Sequence, residues 1–126
     1  MRNKKLVLVA LLAAFALLVV ACGDDDGAAT GMKMCQVTDF GGIDDQSFNQ
    51  TAWEGFNQAK DELGVEIAYL ESDDATDYAP NIQSFMDQGC ELIVTVGYNL
   101  AADTAKYACD NPDQLFAILD ETPAAI

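Results

Sequence analysis

Asp39, Phe48 and Asn49 stand close together in the stretch Val37-Thr38-Asp39-Phe40-Gly41-Gly42-Ile43-Asp44-Asp45-Gln46-Ser47-Phe48-Asn49-Gln50. Their types suit recognition better than catalysis. An aromatic ring beside an amide and a carboxylate fits a flat, polar-edged ligand such as a purine: the ring stacks while the polar groups read the edge. The stretch reads as the end of a buried strand, a glycine turn rich in carboxylates, and the first turns of an amphipathic helix. Such a turn sets a strand-end carboxylate, a flexible backbone and helix-start amides around one crevice. The same residues also read as an ordinary tight turn in which Asp45 caps the helix. Catalytic alternatives have less to stand on. The chain has no histidine, no nucleophile elbow and no glycine-rich phosphate loop with a lysine. A calcium-dependent nucleoside hydrolase would need Asp39, Asp44 and Asp45 to converge across the glycine turn. A phosphoacceptor signalling domain would want a lysine after a late strand, and an export signal would separate it from its kinase.

The surrounding elements alternate strand and helix. Met34 to Thr38 is a short apolar run, the first strand. Phe48, Ala52, Phe56, Ala59 and Leu63 recur at helical spacing, and Gly64 ends that helix. Val65 to Leu70 is a second strand. Asp77 caps a second helix with Pro80 in its first turn, a buried stripe of Ile82, Phe85 and Met86, and Gly89 at its close. Leu92-Ile93-Val94-Thr95-Val96 is apolar on both faces, as a central parallel strand requires. Leu100, Thr104, Ala105 and Ala108 form a third helix stopped by Asn111-Pro112, and Leu115 to Leu119 is the fourth strand. The order predicts a three-layer α/β domain with a right-handed parallel sheet of strand order 2-1-3-4. Ligands bind such sheets beyond the carboxyl ends of the strands, at the switch point between strands one and three. The residues there are Asp39, Ser72 with Asp73, Gly97-Tyr98-Asn99, and Asp120. Solvated loop acids at Asp39 and Asp120, and packing of Tyr98 on the third helix, are the plainer readings. Trp53, on the first helix, reads as packing.

Ahead of this domain, Arg2, Lys4 and Lys5 precede an apolar run from Leu6 to Ala21 that ends Val19-Val20-Ala21-Cys22. A basic head, an apolar middle and a small residue at the cut describe a secretory signal. The run is short for a spanning helix, which needs about 20 apolar residues; an uncleaved anchor is the alternative. A small residue directly before cysteine resembles a bacterial lipobox, in which Cys22 is diacylated and becomes the first mature residue. Residues 1–21 are thus read as a lipoprotein signal, 22–32 as an acidic flexible tether, and 33–126 as one α/β unit. Asp24, Asp25 and Asp26 are a solvated charge run, since adjacent acids on a floppy segment form no metal cage. The chain holds 21 acids against 6 bases, a formal charge of −15. The three leader bases leave the remainder more acidic still, which excludes nucleic-acid binding. Attachment to the membrane would come from lipid rather than from a basic patch. Export permits a disulfide among Cys35, Cys90 and Cys109. Cys35 and Cys90 start neighbouring strands, so Cys90 is the partner in any bond, with Cys35 ahead of Cys109; three free thiols are the alternative. With no histidine and wide cysteine spacings, neither a zinc site nor another cofactor is expected.

The run Val37-Thr38-Asp39-Phe40-Gly41-Gly42-Ile43-Asp44-Asp45-Gln46-Ser47-Phe48-Asn49-Gln50-Thr51-Ala52-Trp53-Glu54-Gly55 resembles the opening signature of the basic membrane protein family. These are bacterial substrate-binding lipoproteins that include purine nucleoside receptors feeding ABC importers. The resemblance continues through Tyr69-Leu70-Glu71-Ser72, Asp77-Tyr78, Ile93-Val94-Thr95-Val96-Gly97 and Asn111-Pro112-Asp113 to Phe116-Ala117-Ile118-Leu119-Asp120. It implies the first lobe of a type I periplasmic-binding-protein-like fold, with no catalysis. It implies that Phe48 is one of two rings sandwiching a base, that Asp39 and Asn49 hydrogen-bond a nucleoside, and that Asp120 is a further contact. Ser47, Gly97 and Tyr98 stand beside them as ligand-binding candidates, while Asp44 and Asp45 shape the turn. The implied partners are a purine nucleoside or related small solute and the membrane subunits of an ABC importer. The implied location is the outer face of the bacterial cell membrane, through lipid on Cys22. A receptor of the same fold for another small polar solute, such as a sugar, is the alternative, and a nucleoside-hydrolysing enzyme a more distant one. The family folds as two lobes closing on ligand, whereas this sequence stops at Ile126, just past the fourth strand. The expectation is an N-terminal fragment without its second lobe.

Overall fold

The computed structural model describes residues 31–122. The leader, Cys22, Asp24 to Asp26 and most of the proposed tether lie outside the described residues. Four strands and three helices alternate: β1 (Lys33–Thr38), α1 (Phe48–Leu63), β2 (Glu66–Leu70), α2 (Tyr78–Asp87), β3 (Leu92–Val96), α3 (Ala101–Asp110) and β4 (Leu115–Leu119). Short 3-10 turns at Ala75–Asp77 and Tyr98–Leu100 lead into α2 and α3. The sheet is parallel throughout, in the order β2-β1-β3-β4.

Parallel strands need cover on both faces, so their central members carry little polar surface. Val94 and Val96 of β3 meet Phe56 of α1 on one face, with Met34, Ala52, Trp53 and Ile67 around them. Cys35, Val37 and Ile93 point the other way, to Tyr78, Ile82 and Phe85 of α2 and to Leu100. Trp53 stands edge-on to Tyr69 at 5.0 Å and stacks on Phe56 at 5.7 Å, a packing role. Gly64, at φ 69°, ends α1 in the left-handed conformation and donates to the Lys60 carbonyl at 3.0 Å, a stop that costs glycine no Cβ strain. Cys35 and Cys90 are joined by a disulfide with a Cα–Cα distance of 6.0 Å, tying β1 to the loop that precedes β3. Cys109 is exposed and free.

One cap departs from the sequence reading. Asp77 stands at the N-cap position of α2 but makes no side-chain cap there. Its carboxylate accepts from the backbone amides of Asp73 at 2.9 Å and Asp74 at 3.2 Å, while Asp74 accepts from Thr76 N–H at 2.7 Å. The two acids form a capping box around the 3-10 turn. The chain coils one turn earlier than its apolar periodicity indicates, which moves the capping position back to Asp74.

The register positions the site. Thr38 lies opposite Val96, and Val96 opposite Leu119. The residues that follow, Asp39, Gly97 and Asp120, therefore emerge in one row at the carboxyl edge. The pairing of β2 with β1 ends at Val37 and Leu70, on the far side of β1 from the switch point. Among the described residues, no helix is long and apolar enough to cross a membrane.

Candidate functional site

Two elements converge on that row. The glycine turn after β1 folds back so that α1 begins above the strand ends, and the 3-10 turn after β3 carries Tyr98 beside it. Together they enclose a cleft of about 430 Å³ that all seven candidate ligand residues line: Asp39, Ser47, Phe48, Asn49, Gly97, Tyr98 and Asp120. Ser72 and Asp73 do not reach it. Ser72 is buried and accepts from Asn81 Nδ2 at 3.0 Å on the β2 side. Phe40, Asp45 and Asn99 also line the cleft.

The turn is held by its own carboxylates. Asp45 Oδ1 accepts from the backbone amides of Ser47 at 2.8 Å and Gln50 at 3.0 Å, and Oδ2 from Asn49 N–H at 3.2 Å. Ser47 occupies the N-cap position but makes no side-chain cap, so Asp45 satisfies the open amides of α1 from outside the helix. Burial works to raise the Asp45 carboxyl, but the amides of Gln50, Ser47 and Asn49 outweigh it and hold the group below its ordinary 3.8. Behind the turn, Glu71 Oε1 accepts from Ile43 N–H at 2.7 Å and lies where a side chain on Gly42, at φ 70°, would have to go.

Asp39 sits at the centre. Its Oδ1 accepts from Asn49 Nδ2 at 2.8 Å and from Gly41 N–H at 3.3 Å. Its other oxygen packs against Gly97, where an added Cβ would overlap it and come within 2.7 Å of Asp39 Cγ. Gly97 also has φ 109°, a conformation L side chains rarely adopt. Asp39 can stand upright at the strand end only because Gly97 has no side chain. Asn49 is 1% exposed. It holds Asp39 by its amide nitrogen, while its Oδ1 is buried without a partner among the described residues. The Asn49 carbonyl accepts from Nε2 of Gln36, fully buried in β1, at 2.9 Å. Gln36 escaped the sequence reading; the signal for it is a lone amide inside an apolar strand. Asp120 adopts φ 70° directly after β4, a left-handed position that aspartate tolerates better than most residues.

Around these polar groups stand three exposed rings, Phe40 at 53%, Phe48 at 57% and Tyr98 at 62%. No lysine or arginine lines the cleft among the described residues. The arrangement offers acceptors, hydroxyls and aromatic faces, which suits a neutral, donor-bearing flat molecule and opposes an anionic one. Asp44 does not join Asp39 and Asp45 in the cleft lining, and the latter two are already hydrogen-bonded within the turn. Among the described residues, Asp39, Asp44 and Asp45 do not form one cation-holding cluster.

Comparison with known proteins agrees with this geometry. The family model Bmp, described as ABC transporter substrate-binding protein PnrA-like, matches residues 32–124. The ABC transporter nucleoside-binding protein BmpA of Lactococcus lactis subsp. cremoris is 34% identical over 129 residues, covering 94% of this chain and 37% of that protein. Basic membrane protein A of Borreliella burgdorferi is 31% identical over 119 residues, covering 94% and 34%. The crystal structure of an ABC transporter system solute-binding protein from Aeropyrum pernix K1 superposes with a TM-score of 0.69 at 27% identity, over 75% of this chain and 26% of that one. The chain thus spans between about a quarter and little more than a third of the curated relatives it matches, and its parallel sheet is that of the periplasmic-binding-protein-like fold. From the signature turn to the fourth strand, it belongs to the Bmp family of PnrA-like ABC transporter substrate-binding proteins.

Proposed function

We propose that the cleft is one side of a receptor site for a purine nucleoside, and that the protein delivers this solute to an ABC importer from the outer face of the cell membrane, held there by lipid on Cys22. The observation that carries the reading is the exposed ring of Phe48 standing beside the Asp39–Asn49 pair, whose hydrogen bond is 2.8 Å. Stacking on such a ring and hydrogen bonding at its edge together select a flat, polar base. Asp39, Asn49 and Asp120 are assigned to nucleoside hydrogen bonds, Phe48 to stacking, and Ser47, Gly97 and Tyr98 to the wall. The similar Lactococcus protein, named as a nucleoside-binding protein, supports the same ligand class. The leader ending Ala21-Cys22 supports the anchor.

On this reading the described unit forms one jaw, and alone it holds nucleoside weakly, with a dissociation constant near millimolar, about −4 kcal/mol. Thermal unfolding with inosine, guanosine, adenosine and ribose tests the assignment. Inosine at ten times its dissociation constant adds about 1.4 kcal/mol to stability. The expected result is stabilisation by nucleosides that is lost in Phe48→Ala and in Asn49→Ala. Stabilisation by ribose alone would move the site to the sugar-receptor alternative.

A further inference from the structure

Tyr78 heads α2 and packs into the core with 1% of its surface exposed. Its hydroxyl is buried and has no hydrogen-bond partner among the described residues. A buried hydroxyl left unpaired is costly, and phenylalanine in its place would lose nothing by packing. The surroundings suggest what the hydroxyl is kept for. Phe40 lies over Tyr78 with ring centroids 5.6 Å apart, and Phe40 is itself a lining residue of the cleft, beside Asp39. Phe40 is itself exposed, so the fold does not enclose its outer side. The groups whose charges act on the phenol are Asp39 and Tyr98 of the cleft, Asp103 of α3 and Asp74 ahead of α2; burial comes first, and together they push it up to about 12. The phenol is therefore a proton donor at every physiological pH. The cleft that Phe40 lines holds the acceptor-only carboxylates of Asp39, Asp45 and Asp120, and the amide nitrogen of Asn49 is already given to Asp39. Side-chain donors on that lining come from Ser47, Tyr98 and Asn99, and a phenol reached beneath Phe40 would add one on the Asp39 side.

We propose that Tyr78 is a ligand-reading donor beneath the cleft floor, covered by Phe40 when the cleft is empty and uncovered when a bound solute displaces that ring. The inference rests on the reading of the cleft as a solute site and adds to it a specificity residue that reads an acceptor atom of the bound molecule.

Tyr78→Phe removes the hydroxyl and keeps the ring, and two ligand-free measurements judge the idea whatever the cleft binds. Thermal unfolding of Tyr78→Phe is expected at or above the wild-type midpoint, because no bond inside the fold is lost; a clear fall would reveal a partner within the fold and overturn the proposal. Ultraviolet titration of Phe40→Ala is expected to show a phenol ionising at lower pH than the Tyr78 of the wild type, a step that is missing from Phe40→Ala/Tyr78→Phe. A Tyr78 that still resists ionisation there would show that Phe40 is not its cover. Calorimetry with inosine then reads the contact itself. Tyr78→Phe should bind about fivefold more weakly, as loss of one neutral hydrogen bond implies. One deaza analogue, with a single ring nitrogen replaced by C–H, should lose affinity for the wild type and lose none further for Tyr78→Phe, a coupling that a purely structural role would not produce. A wild type that binds no nucleoside contradicts the proposed function, and the two ligand-free measurements still decide the fate of Tyr78. Equal inosine affinity in both proteins overturns the role of Tyr78 and leaves that function standing.

Discussion

Asp45 and Gly97 do their work for other residues. Asp45 lines the cleft, yet its oxygens are taken by the Ser47, Asn49 and Gln50 amides. Asp45→Ala should therefore cost about 1 kcal/mol in urea denaturation at neutral pH, as loss of a helix cap does. The pH dependence has a definite sign. The folded carboxyl lies below the unfolded value of 3.8, so the unfolded chain binds its proton more readily. The contribution is complete above 3.8 and is lost as pH falls through the lower folded value. The gap between wild type and Asp45→Ala should accordingly close on acidification, and a gap that widened would contradict the capping role. Gly97→Ala should be more damaging, since the new Cβ overlaps the Asp39 carboxylate at φ 109°. A loss of about 1–3 kcal/mol together with loss of solute binding is expected. Spacing within one motif made the acid, ring and amide legible in the sequence, and it offered Asp45 as a cap. It did not reveal why Gly97 must be glycine, because the clash involves a strand far away in the chain. Gln36 was hidden for the same reason: its partner, the Asn49 carbonyl, becomes a neighbour only when α1 folds over β1.

The elements turn a list of residues into a row. Apolar runs bounded by glycine, asparagine and proline were enough to read four strands, three helices and the sheet order, since parallel strands must be buried on both faces and their crossovers must be right-handed. The cap of α2 was not readable, because an acid at position 74 and an acid at position 77 are equivalent until the 3-10 turn decides where coiling starts. The register, with Thr38, Val96 and Leu119 abreast, is what lines up Asp39, Gly97 and Asp120. The disulfide between Cys35 and Cys90 fixes β1 against the approach to β3 across a sequence separation of 55. Closing a loop of that length should stabilise the fold by about 4 kcal/mol on the chain-entropy account. Cys35→Ala/Cys90→Ala, or reduction of the wild type, should lower stability by that order in urea unfolding, whereas Cys109→Ala should change it little because that thiol is exposed. Equal stability of oxidised and reduced protein would show that the bond closes nothing the fold does not already hold.

At the scale of the molecule, a charge of −15 and a cleft without basic residues among those described oppose polyanions and phosphorylated solutes alike. The apolar surface lies elsewhere, in a groove of about 590 Å³ where Met34, Ala52, Phe56, Val94, Ala117 and Leu119 meet; Phe48 and Asp120 line both this groove and the cleft. The Phe48 ring is thus set by apolar neighbours on one side and offered to the cleft on the other, a placement its sequence spacing could suggest but not supply. If lipid on Cys22 holds the protein, Cys22→Ala should move it from the membrane fraction to the soluble one, and retention at the membrane would point to an uncleaved leader as the anchor. The proposed function has a nucleoside read at the carboxyl edge of β1, β3 and β4. It is tested most directly by a two-dimensional amide NMR titration of this chain with inosine, which detects even millimolar binding. Saturable shifts confined to Asp39 through Asn49, Gly97 through Asn99 and Asp120 are expected, and none in Phe48→Ala. No shifts at millimolar inosine, or shifts centred on α3 and the amino edge of the sheet, would contradict it.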